Sequence, residues 1–211
     1  MFGLIMRDIL VQRKRLLLAA ICCIVLTVFL RFMGEFALVP TILMAVYFVL
    51  VSAFEYDDKY KVDGTLISLP IKRQFLVLVR YLEVPVLTVS VVLIYIPVTL
   101  LMNLWFPGMS PVGLLMPATG FLAASLMSGL YMPIIYRLGY VKAKILVILL
   151  AFSMIPAAVM VLGKIGGEIN LSLWPATASK GMIASLMFAA AILTLVISCL
   201  LSIRMYRKRQ F

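Results

Sequence analysis

The sequence predicts an all-α polytopic membrane protein with six transmembrane helices and both termini in the cytoplasm. Three observations lead to this fold class: 65% of the 211 residues are hydrophobic, the mean hydropathy is +1.18, and the apolar residues form stretches of spanning length. A soluble globule of this size would leave too much apolar surface in water. Crossing about 30 Å of hydrocarbon takes about 20 residues of helix, which satisfies its backbone hydrogen bonds within one segment.

Residues 1–15 are expected to form an interfacial helix before the first span. Their apolar residues recur at helical spacing while Arg7 and Arg13 lie off that face, which is typical of a helix lying in the membrane surface; an extension of the first span is the alternative. The predicted spans are residues 16–33, 36–54, 84–106, 112–136, 145–162 and 182–203. No repeat or low-complexity linker divides the chain, so residues 1–211 are predicted to form a single integral membrane domain.

The positive charges indicate the orientation of these spans. Sixteen of the 19 Lys and Arg residues fall on the side of the N-terminus, and only Arg31, Lys164 and Lys180 fall on the other side. Cytoplasmic loops carry such an excess, so the termini and residues 55–83 are expected in the cytoplasm. The net charge of +11 therefore does not imply a nucleic-acid partner. On the outer side, residues 163–175 are long enough to re-enter the membrane, an alternative that stays open.

The segment 55–83 carries 10 of the 27 charged residues. It is expected to begin as a short acidic coupling helix that contacts a soluble partner, and its candidate contact residues are Glu55, Tyr56, Asp57, Asp58, Lys59 and Lys61. A turn follows, and Pro70 suits the first turn of an amphipathic helix that has Arg73 and Arg80 on one face. A solvated loop is the alternative, but it would expose Leu66 and Leu69 to water.

This segment resembles the inner loop of small permease subunits of ABC-2 exporters. In that family an aspartate-rich, lysine-containing patch precedes a Leu-Pro-x-x-Arg turn and a basic helix. The matching residues here are Asp57, Asp58, Lys59, Leu69, Pro70, Arg73, Arg80 and Tyr81. Lys72 departs from the pattern, because the family usually has Ser or Thr there. The resemblance in length, span number and topology covers the whole chain, which looks most similar to permeases of bacterial phenol-soluble modulin exporters.

The resemblance implies partners that supply the energy. These are two copies of an ATP-binding cassette ATPase, which would hold ATP and Mg, and a second permease copy or a paralogue, all at the bacterial plasma membrane. The residues agree, since no predicted span has an ionisable group near its middle to couple transport to ions. Neither Gly163-Lys164-Ile165 nor Ser179-Lys180-Gly181 matches a phosphate-binding loop. No cofactor, metal ligand or catalytic residue is therefore expected on this chain.

The expected cargo is an amphipathic peptide or a lipid-like molecule, moved out of the cell. Spans without buried charge offer no strong ionic contacts to a hydrophilic solute, and the 14 flexible Met side chains suit irregular apolar surfaces. The alternative function is the substrate-binding membrane subunit of a vitamin importer, although the short outer loops offer few polar groups for its pocket. A membrane phosphotransferase is the third class, but Asp63-Gly64 lacks the further acidic residues that would hold its metal.

Small residues recur every four positions in two of the predicted spans. The candidate helix seams are Gly120, Ala124 and Ser128 in the fourth span and Gly181, Ser185 and Ala189 in the sixth. Such stripes let another helix approach closely, either within one subunit or between two.

Overall fold

The computed structural model describes residues 13–30, 37–59, 73–105, 113–140 and 180–208, with positions 143, 149 and 153. Every regular element within those residues is an α-helix. The five helices are α1 (Arg13–Phe29), α2 (Leu38–Lys59), α3 (Arg73–Trp105), α4 (Leu115–Leu138) and α5 (Lys180–Lys208). They correspond to five of the six predicted spans. The fifth predicted span and the stretch 163–175 lie outside the helices described. Of the predicted interfacial helix, residues 1–12 lie outside the described residues, and residues 13–15 belong to α1.

Among the described residues, four stretches are long and apolar enough to cross a membrane. They lie in α2, α3, α4 and α5: Leu38–Lys59, Val77–Leu104, Leu115–Leu138 and Gly181–Met205. A shorter apolar stretch, Ala20–Phe29, lies in α1. A helix rises 1.5 Å per residue, so the 33 residues of α3 extend about 50 Å, which exceeds the hydrocarbon thickness. The chain is therefore a multi-pass membrane protein, and part of α3 projects beyond the hydrocarbon.

Helix α2 lies at the centre of the bundle. Of its most apolar window, 72% is buried within the protein, against 22% for α3 and for α5. Helix α2 packs against α1, α3 and α4, and α4 packs along much of α5. The outward faces of α3 and α5 are rich in Leu, Val and Ile, as suits contact with lipid chains.

Most hydroxyl groups within the apolar helices are satisfied by their own helix. Thr27, Thr41, Thr88 and Ser125 are buried, and each donates to the carbonyl four residues earlier at 2.7–2.9 Å. This back-bonding lets a Ser or Thr lie in an apolar environment without a second helix as partner. Hydroxyls that instead bond across helices therefore mark particular positions in the bundle.

Candidate functional site

The acidic stretch predicted as a coupling helix is the C-terminal end of α2. Residues 55–59 continue that helix without a break, so no separate short helix begins at Glu55. Glu55, Asp58 and Lys59 are exposed, whereas Tyr56 and Asp57 are partly buried. The sequence grouped these adjacent residues together as candidate contacts with a soluble partner. The helical turn instead directs Asp57 towards the bundle and leaves Glu55 and Asp58 on the outer surface.

Asp57 is paired with Arg80, which lies about two turns into α3. The Arg80 Nη2 atom lies 2.8 Å from Asp57 Oδ2, and its Nη1 atom lies 3.0 and 3.2 Å from the two carboxylate oxygens of Glu83. The Arg80 side chain is 8% exposed, against 32% for Asp57 and 21% for Glu83. Removing an arginine from water is costly unless its charge is paired and its donors are used. The two carboxylates meet that requirement and join the end of α2 to α3.

An aromatic cluster completes the surroundings of Arg80. The guanidinium carbon lies 5.8 Å from the ring centroid of Phe54, within the range of a cation–π contact. Phe54 lies three residues before Asp57, which places both on the same face of α2. The Phe54 ring also meets Tyr131 and Tyr136 of α4 edge-on, with centroids 5.7 Å apart in each pair. The end of α2 is thus held between α3 and α4.

Tyr81, the next residue on α3, joins a hydrogen-bonded chain that reaches two other helices. Its hydroxyl lies 2.7 Å from the hydroxyls of Ser198 and Ser202 on α5, and Ser198 donates to the carbonyl of Gly129 on α4 at 2.6 Å. A carbonyl only accepts and each hydroxyl has one proton. Ser198 therefore accepts from Tyr81, and Tyr81 accepts from Ser202. The three hydroxyl side chains are buried, so the order of donors is enforced.

A proline explains why the Gly129 carbonyl needs a donor from another helix. Pro133 lies four residues after Gly129 inside α4 and has no backbone N–H to donate to it. Ser198 supplies the missing donor, as membrane helices often require near proline. The approach does not itself require glycine, because a Cβ at position 129 would stand 3.6 Å from the Ser198 Cβ, which is an ordinary contact distance.

The two small-residue stripes have different environments. Gly120, Ala124 and Ser128 are buried within the chain, and a Cβ at Gly120 would stand 2.5 Å from Ile42 Cδ1 of α2. At Gly120 the first stripe therefore makes a close contact between α4 and α2. By contrast, Gly181, Ser185 and Ala189 are exposed in the part of the protein that the structure describes.

The other residues predicted for the loop before α3 lie mostly outside the described part of the chain. Lys61, Leu69 and Pro70 lie outside the described residues, and Arg73 begins α3. Sequence reasoning did not single out Glu83 as a partner of Arg80. It could have done so, because Glu83 follows Arg80 by three residues on a helix. Phe54, Ser198 and Ser202 offered no such local signal, because their partners are distant in the chain.

The described residues contain no group of three or more His, Cys, Asp or Glu side chains that could hold a metal ion. In this arrangement Arg80 and Tyr81 join α3 to three other helices, close to the exposed charged end of α2. No curated protein sequence and no solved structure matches the chain significantly. The sequence profile described as "ABC-2 family transporter protein" matches residues 3–207. That match covers nearly the whole chain, and the protein belongs to the ABC-2 family of transporter membrane subunits.

Proposed function

We propose that this protein is the permease subunit of an ABC exporter driven by ATP hydrolysis on a separate nucleotide-binding subunit. Its family membership supports a role as the membrane component of an ABC transporter, a component that is generally not catalytic. The observation that carries the ATPase contact is the exposed end of α2, where Glu55, Asp58 and Lys59 face away from the bundle. Charged groups at a helix end suit recognition by a soluble partner of complementary charge.

The proposed arrangement places both termini and the end of α2 in the cytoplasm of a bacterial cell. Two ATPase subunits, which bind ATP and Mg, engage two permease subunits. The exposed stripe of Gly181, Ser185 and Ala189 offers a surface where a second permease, identical or paralogous, can approach closely. The proposed cargo is an amphipathic peptide or a lipid-like molecule, because the predicted spans have no ionisable group near their middle and the chain resembles permeases of phenol-soluble modulin exporters.

Co-purification tests the ATPase contact. The tagged chain is purified in mild detergent from its native host, and the bound proteins are identified by mass spectrometry. We expect an ATP-binding cassette subunit to accompany the wild type and to be lost when Glu55 and Asp58 are both changed to Lys. Asp57 is left intact because its reversal would also break the pair with Arg80. An ATPase that binds the double variant as well as the wild type refutes α2 as the contact.

The cargo is tested with the reconstituted complex. Amphipathic helical peptides are expected to raise its rate of ATP hydrolysis, while sugars, vitamins and amino acids leave that rate unchanged. Stimulation by a vitamin alone, or inward accumulation of a hydrophilic solute, supports an importer and contradicts the export proposal.

A further inference from the structure

Arg80 and Tyr81 are consecutive residues of α3, yet they bind different helices. Successive residues on a helix point about 100° apart, which follows from 3.6 residues per turn. Arg80 pairs with Asp57 on α2, while Tyr81 bonds Ser198 and Ser202 on α5. Through Ser198, the same chain of hydrogen bonds reaches α4. One turn of α3 thus has polar bonds to the exposed end of α2 and to the two helices farther along the chain.

We propose that Arg80 and Tyr81 are positioning residues that transmit movement of the α2 end to α4 and α5. The inference rests on the proposed function, in which an ATPase moves that end of α2. Asp57 then belongs to the transmission and not to the docking surface, although Asp58 beside it docks. The sequence alone grouped both aspartates as docking residues.

The bonds suit transmission because they leave little freedom of rearrangement. Arg80 uses both terminal nitrogens on two carboxylates, so a shift of Asp57 pulls on α3 through the guanidinium. The hydroxyl chain has one allowed order of donors, from Ser202 through Tyr81 and Ser198 to the Gly129 carbonyl. Small displacements in such packed, bonded regions are passed on as rigid shifts of whole helices.

A purely structural role would also explain these bonds, so the test must report on movement. Leu193 is 60% exposed near the middle of α5 and accepts a spin label after substitution by Cys. The native cysteines, Cys22, Cys23 and Cys199, are changed to Ala in this background. The complex of labelled permease and ATPase is placed in lipid nanodiscs. The spin-label spectrum recorded with ATP is compared with the spectrum recorded with ADP.

Two variants interrupt the transmission at different points. Tyr81→Phe keeps the ring and removes the hydroxyl, and Asp57→Asn weakens the link to α2 while Glu83 still pairs with Arg80. Ser90→Ala is the matched control, because the exposed Ser90 hydroxyl bonds the Val86 carbonyl of its own helix. Coupling between two sites typically changes an equilibrium constant by a factor of about 5 or more. We therefore expect the change that ATP causes in the equilibrium between the conformations of the spin label to be at least about five-fold smaller in each variant. The control retains the wild-type shift.

The outcomes separate this inference from the function on which it rests. A reduced shift in a complex that is still folded and still holds the ATPase at the assay temperature supports transmission, because a bond that only stabilised the fold would lower the melting temperature and leave the shift of the folded complex intact. A wild-type shift in Tyr81→Phe and in Asp57→Asn, with the ATPase bound, overturns the inference alone. Absence of any ATPase from the wild-type preparation overturns the proposed function and this inference together.

Discussion

Gly120 marks a close approach of α4 to α2, and its substitution by Ala has a computable consequence. The added Cβ would stand 2.5 Å from Ile42 Cδ1, whereas carbon atoms rest about 3.5–4.0 Å apart. One of the two atoms must retreat by about 1 Å or more. Ile42 is fully buried, so its methyl group has little space to enter.

The expected loss of stability is the difference between two effects. Overpacking a core by one methyl group costs about 1–3 kcal/mol. Replacing Gly by Ala inside a helix returns about 0.8–1.0 kcal/mol through helix propensity. Gly120→Ala is therefore expected to lower the free energy of unfolding by about 1 kcal/mol, equivalent to about 2–4 °C in melting temperature for a chain of this size.

Removal of the opposing methyl group tests the cause. Ile42→Val deletes Cδ1 and by itself costs about 0.5–1.5 kcal/mol. The other Ile42 atoms near the new Cβ, Cγ1 at 3.6 Å and Cβ at 3.7 Å, are at ordinary contact distance. In the double variant the alanine methyl occupies the space that Cδ1 vacates. We expect the two losses to fall short of additivity by about 1–2 kcal/mol.

Gly129→Ala is the matched control on the same helix, since its Cβ would meet the Ser198 Cβ at 3.6 Å without a clash. This variant should keep or slightly raise the wild-type melting temperature. Thermal unfolding of the purified protein in detergent, followed by circular dichroism, measures all four variants. The steric argument is refuted if Gly120→Ala and Gly129→Ala have the same melting temperature, or if Ile42→Val fails to reduce the loss of stability caused by Gly120→Ala.

Ser198→Ala should lower the free energy of unfolding by about 1–3 kcal/mol, because the Gly129 carbonyl loses its donor. Pro133→Ala should reduce that loss, because it restores a backbone donor to the same carbonyl. Equal losses with Pro133 and with Ala at position 133 would contradict the role of Ser198 as that donor. Tyr131→Phe should melt at or above the wild-type temperature, because the buried Tyr131 hydroxyl has no hydrogen-bond partner among the described residues, and a clear decrease would reveal one. Leu193→Lys should reduce membrane insertion, at a cost of about 2.5–3.5 kcal/mol near the middle of a span, whereas Asp58→Lys at an exposed helix end should insert normally; glycosylation-site mapping of each variant measures this.

The sequence was sufficient to predict a helical chain that crosses the membrane several times, because hydropathy along a membrane helix is a one-dimensional property. The thickness of the bilayer sets a minimum length for each apolar stretch, and the backbone N–H and C=O groups must form their hydrogen bonds within that stretch. The continuity of residues 55–59 with α2 was not accessible, since charged residues end a span in a hydropathy pattern without ending the helix. The family resemblance depended on local residues such as Asp57 and Arg80, and the family was confirmed over residues 3–207.

Composition and periodicity by themselves determined that this chain is a bundle of membrane helices with a concentrated charged segment. Tertiary structure alone decided which way each face points. The stripes of Gly120 and Gly181 have the same spacing, yet one packs against α2 and the other is exposed. Likewise, Asp57 and Arg80 are 23 positions apart in the sequence, and nothing in the sequence signals their pairing. The physical reason is that a burial or a salt bridge belongs to two helices at once, and their relative rotation is set by packing across the whole bundle.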